Sequence, residues 1–91
     1  MDSMSDIMSA LRAARALLGL SQEELAVAAG VSRQIIIRIE RCDGNILAEA
    51  IDKVRAALEA DGIVFVEGNA ERGPAVALVR NRGAQNRPTV D

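Results

Sequence analysis

The chain has no histidine, tryptophan or tyrosine, and one cysteine and one phenylalanine among its 91 residues. Without histidine, and with Cys42 alone, zinc has no ordinary ligand set and no internal disulfide can form, so a reducing cytoplasm is the expected compartment. The same poverty argues against an enzyme. There is no histidine base, no activated-nucleophile motif and no recognisable pair of carboxylates, and no cofactor is expected. No run of 18 apolar residues occurs, and Asp2 and Asp6 stand where an export signal would carry basic residues, so neither membrane insertion nor secretion is expected. Nor is there an excess of positive charge. At a net charge of -2 the chain cannot coat phosphates nonspecifically, and any contact with a polyanion must come from local clustering.

What the chain does have is small and branched aliphatic residues: 49% of it is hydrophobic and 1% aromatic. A core of Ala, Leu, Ile and Val suits closely packed helices. Ile7, Leu11, Ala14 and Leu18 recur at steps of three and four and predict a first helix closed by Gly19. Ser21 followed by Glu24 predicts a capping box, with Leu20 stapled to Leu25, for a second helix ending at Gly30. Val31, Ser32 and Ile36 repeat the cap and staple at once. A third helix is therefore expected over about Arg33 to Arg41, across a very short turn from the second.

Cys42 to Asn45 reads as a turn, with Asn45 a candidate cap for the next helix. Leu47, Ile51, Val54 and Leu58 carry helical spacing up to Asp61 and Gly62. Residues 63–66 and 75–79 are β-branched or apolar runs separated by Gly68 to Pro74, which predicts a hairpin rather than a phosphate loop, since the lysine and hydroxyl spacing is missing. Both faces of each strand are apolar. One face is expected to pack on the helices and the other on a second copy of the chain, through Val64, Phe65, Val66, Val76 and Leu78. The organisation expected is a helical domain over 1–62, a dimerising hairpin over 63–79 and a polar, flexible tail over 80–91.

On the third helix Ile36, Ile39 and Glu40 share one face, while Gln34, Ile37, Arg38 and Arg41 share the opposite one. Most charged helical faces are simply solvated. Gln and Arg, however, are the side chains that grip adenine and guanine edges with paired hydrogen bonds, and isoleucine can meet a thymine methyl. Ile35 and Ile37 cannot both join Ile36 in the core, and Ile35 is the one expected to pack. A redox role for Cys42 is disfavoured, because the C-terminal end of a helix dipole opposes a thiolate.

Ser21-Gln22-Glu23-Glu24-Leu25-Ala26, Gly30-Val31-Ser32 and Ile36, Ile39 and Glu40 together resemble the Xre family of Cro/CI-like helix-turn-helix regulators, over about Leu11 to Leu58. The resemblance implies a mainly α fold, a five-helix lambda-repressor-like DNA-binding domain, here followed by the hairpin. It also implies a homodimer on a double-stranded DNA operator, acting as a transcriptional regulator, typically a repressor. By position, Arg33, Gln34, Ile37 and Arg38 match the base-reading residues, and Ser21, Gln22, Ser32 and Arg41 match the phosphate-contacting set. Glu40 is expected to pair with Arg15 in a structural role. Cys42 departs from the family pattern, which commonly places glycine there. The alternative is an antitoxin-like or antiactivator module that binds another polypeptide through its C-terminal strands.

Overall fold

The computed structural model describes residues 3–79, and the expected tail over 80–91 lies outside them. Four helices and a hairpin follow one another: α1 (Ser3–Leu18), α2 (Gln22–Ala29), α3 (Arg33–Glu40), α4 (Ala48–Ala60), β1 (Ile63–Val66) and β2 (Ala75–Leu78). None of the described helices is long and apolar enough to cross a membrane.

The start and stop signals work locally as their chemistry requires. Ser21 Oγ accepts from the Glu24 amide at 2.9 Å, and the Glu24 carboxylate accepts from the Ser21 amide at 2.8 Å, completing the capping box of α2. Gly30 ends α2 at φ 72, and the Val31 amide then donates back to the Ala26 carbonyl at 3.1 Å. A left-handed residue there lets the chain reverse without a Cβ clash. Ser32 Oγ accepts from the Ile35 amide at 3.2 Å and opens α3 two residues later.

Three details differ from the sequence expectation. Five helices were expected over 1–62 and the described residues form four, because only one helical repeat lies between Cys42 and Gly62. α3 stops at Glu40, with Arg41 as its C-cap rather than its last turn. Asn45 does not cap α4: it sits at φ 67, and Leu47 holds the N-cap position with no side-chain hydrogen bond.

One core joins every element. Met8, Leu11 and Ala14 of α1 meet Leu25 and Ala26 of α2, Ile36 and Ile39 of α3, and Ile51, Val54 and Leu58 of α4. Ile63 of β1 is 3% exposed and belongs to the same cluster. The hairpin is therefore seated on the helices, with β1 against α4 and β2 against α1. The strands run antiparallel in the register Ile63 to Leu78, Val64 to Ala77, Phe65 to Val76 and Val66 to Ala75. In the connecting loop Asn69 Oδ1 accepts from the Glu71 and Arg72 amides at 2.8 and 3.0 Å, and the Asn69 amide donates to the Arg72 carbonyl. A Cβ on Gly68 would come within 2.8 Å of the Arg72 carbonyl oxygen, so glycine is needed for this close approach.

Candidate nucleic-acid interface

Three positions at the ends of different helices hold α3 in place. The Arg15 guanidinium, at the end of α1, donates through Nε and a terminal nitrogen to the Glu40 carboxylate at the end of α3, the second bond at 2.9 Å. Its other terminal nitrogen donates to the Leu20 carbonyl at 2.8 Å. Gln22, the first residue of α2, donates its Nε2 to the same Glu40 carboxylate at 3.0 Å. The carboxylate thus ties α1 and α2 to α3, and the same guanidinium holds the α1–α2 turn.

The Glu40 side chain is 9% exposed and that of Arg15 is 21% exposed. Burial pushes the Glu40 carboxyl up, yet the hydrogen bonds from Arg15 and Gln22 and the charges of Arg15 and Arg12 outweigh it, so its pKa falls below the ordinary 4.5. The hydrogen bond to Glu40 raises Arg15, against a smaller loss from burial. Both groups stay charged at neutral pH.

The opposite face of α3 points away from this network. Arg33, Gln34 and Arg38 are exposed, and Ile37 is half-buried beside them. Ile35 is half-buried and packs against the core, while Ile36 and Ile39 are fully inside it. Arg41 is exposed at the C-cap. Among the described residues the ion pairs are Arg15 with Glu40 and Arg55 with Glu59, so Arg33, Arg38 and Arg41 keep their charges uncompensated by a carboxylate. Arg38 donates to the Gly44 carbonyl at 3.2 Å, which lays its guanidinium along the α3–α4 loop. Such a face can grip phosphate oxygens and base edges.

The residues matched to phosphate contact are engaged in part elsewhere. The hydroxyls of Ser21 and Ser32 accept capping hydrogen bonds, and both residues are exposed at the starts of α2 and α3. The Gln22 amide nitrogen is given to Glu40, a role sequence reasoning missed because the two residues meet only where α2 crosses α3. Also missed was the left-handed backbone of Cys42, at φ 57. Its signal was visible as a departure from glycine. The Asp43 amide donates to the Arg38 carbonyl and the Cys42 amide to that of Ile39, so the turn closes α3 as a glycine would.

The five hairpin residues expected at a dimer interface divide between two faces. Phe65 and Val76 pack inward against the core, and Arg55 lies over the Phe65 ring with its guanidinium carbon 5.0 Å from the centroid. Val64 and Val66 point outward and are exposed. Leu78, on the inward face, remains 38% exposed. Among the described residues no cluster of three or more acidic, Cys or His side chains forms a metal site.

A family model described as Helix-turn-helix matches residues 11–61, more than half of the chain and the whole of α2, α3 and α4. No curated protein and no solved structure matches the chain. With two capped helices across a short turn, and an exposed Arg and Gln face on the second, the chain belongs to the helix-turn-helix family of Xre-like, Cro/CI-type DNA-binding transcription regulators.

Proposed function

We propose that this protein is a homodimeric repressor that acts in the cytoplasm, reads an inverted-repeat operator through the major groove and controls its own transcription. The observation that carries the reading is the outer face of α3, where Arg33, Gln34 and Arg38 are exposed on a helix clamped by the Arg15, Glu40 and Gln22 network. Arg33, Gln34, Ile37 and Arg38 read base edges. Ser21, Gln22, Ser32 and Arg41 set the register on phosphates, assisted by the free amides at the starts of α2 and α3. Two such helices about 34 Å apart would each meet one half-site.

An electrophoretic shift on the DNA upstream of the coding sequence tests this. Sequence-selective retardation that weakens steeply with salt is expected, because phosphate contacts release counterions. Retardation no stronger than on unrelated DNA at moderate salt contradicts it.

The exposed Val64, Val66 and Val79 favour a second reading, in which the hairpin captures another polypeptide in the manner of an antitoxin or antiactivator. The two roles are compatible. A partner that competes with operator DNA, or leaves it bound, would separate them.

A further inference from the structure

Four of the eight large hydrophobic side chains that stay exposed among the described residues lie on the hairpin: Val64, Val66, Leu78 and Val79. On the inward face the two strands are not equally covered, while Val64 and Val66 of β1 are exposed on the outward one. Ile63 of β1 is buried in the core, and Arg55 of α4 covers Phe65, its neighbour on the same face. Leu78 of β2 faces inward opposite Ile63 but is 38% exposed, and Val79, just past the strand, is 52% exposed. The open flank is that of β2.

The backbone of that flank is also unpaired. The Val79 amide donates to the Gly62 carbonyl at 2.8 Å, which makes these two residues a hydrogen-bonded pair of the antiparallel ladder. Such pairs alternate, so Val64 with Ala77 and Val66 with Ala75 bond across the hairpin. The amide and carbonyl groups of Val76 and Leu78 therefore point out of the sheet along the free edge. No charged side chain lies within β2 to block another strand.

We infer that β2 pairs with β2 of a second copy, antiparallel about a two-fold axis at Ala77, joining two hairpins into one four-stranded sheet. This rests on the dimeric reading above and specifies its interface. In that register Val76 of one protomer faces Leu78 of the other, and the axis repeats the pair. Each exposed Leu78 then lies beside a partner's Val76 on the inward face, and the outward-pointing backbone groups of both are satisfied together.

The chain's own following segment is a poorer occupant. Residues 80–91 carry Arg80, Arg82 and Arg87, with Val90 as their one branched aliphatic side chain, whereas a second β2 brings both Val76 and Leu78 in register. A short, self-complementary edge suits two copies held together on one operator.

Cysteine pairing on the full chain tests the geometry. Ala77→Cys and Val64→Cys are each made with Cys42→Ser, oxidised at high protein concentration and run without reductant, with sedimentation giving the mass of the parent. Both positions are exposed on the outward face, so neither change disturbs the core. At the axis the two Ala77 residues form a non-hydrogen-bonded pair, close enough for a disulfide. Most of the A77C chain should migrate as a covalent dimer while V64C stays monomeric. Dimers from V64C alone mean pairing through β1, and dimers from both mean stacked outer faces; either overturns the inference. With neither crosslinked, a parent of dimeric mass places the interface elsewhere and overturns the inference alone. A parent that stays monomeric even with operator DNA overturns the dimeric reading as well.

Discussion

The Arg15 guanidinium holds the Glu40 carboxylate through two of its nitrogens, joining the last turn of α1 to the last turn of α3. Gln22 adds a third donor from α2. Removing the carboxylate strands a partly buried guanidinium and leaves the Gln22 amide without its acceptor. A fully buried pair broken this way costs about 3–5 kcal/mol, and partial exposure reduces that to about 2 kcal/mol here. Glu40→Ala should lose that much by urea denaturation. Arg15→Ala combined with Glu40→Ala should cost less than the two single changes summed.

The same pair sets an acid limit. Glu40 is depressed below 4.5 in the folded state, so its contribution is complete above about that pH and is lost as pH falls through the depressed value. Urea midpoints measured down through pH 4 should drop more steeply for the parent than for Glu40→Gln, which has no charge to lose. Parallel curves would show that the network does not govern acid stability.

Cys42 adopts φ 57 without being glycine. The left-handed region costs an ordinary L residue about 1–2 kcal/mol, while glycine returns about 0.5–1 kcal/mol through its freer unfolded chain. Cys42→Gly should therefore raise stability by up to about 1 kcal/mol, read as a higher melting temperature. The thiol's contact with Ser9 Oγ, at 3.9 Å, is too long to offset this.

Base reading and phosphate contact predict different signatures. Gln34→Ala should weaken specific binding by about 1–3 kcal/mol and relax one base position in each half-site. Arg41→Ala should weaken binding evenly across sequences and shallow the salt dependence by about one counterion per protomer. Titrations at several salt concentrations on matched and mismatched DNA distinguish the two.

The helix starts and the α2–α3 turn were legible because their signals are local. Ser21 with Glu24, Gly30, and Ser32 with Ile36 each act within a few residues, and the 3.6-residue spacing of Leu11, Ile36, Ile39, Val54 and Leu58 marks the core. The two strands of the hairpin were legible for the same reason, as apolar runs over 63–66 and 75–79 on either side of a glycine-containing loop. The helix count was not, because the fifth helix came from family likeness alone and the residues between Cys42 and Gly62 carry only one helical repeat, which forms α4. Asn45 carried a capping side chain, but its left-handed backbone took it away from the α4 amides. The Gln22 contact depends on a helix crossing, and the burial of Ile63 opposite an exposed Leu78 depends on where α4 and α1 lie. Neither is written in any local run of residues.

The central claim is that the outer face of α3 reads DNA sequence. Selection of binding sites from random duplex DNA, run in parallel with the parent and with Gln34→Ala, tests it most directly. An inverted repeat with half-sites one helical turn apart should emerge for the parent, and the variant should lose preference at one position of each half-site. No enriched motif, or the same motif from both proteins, would contradict the account.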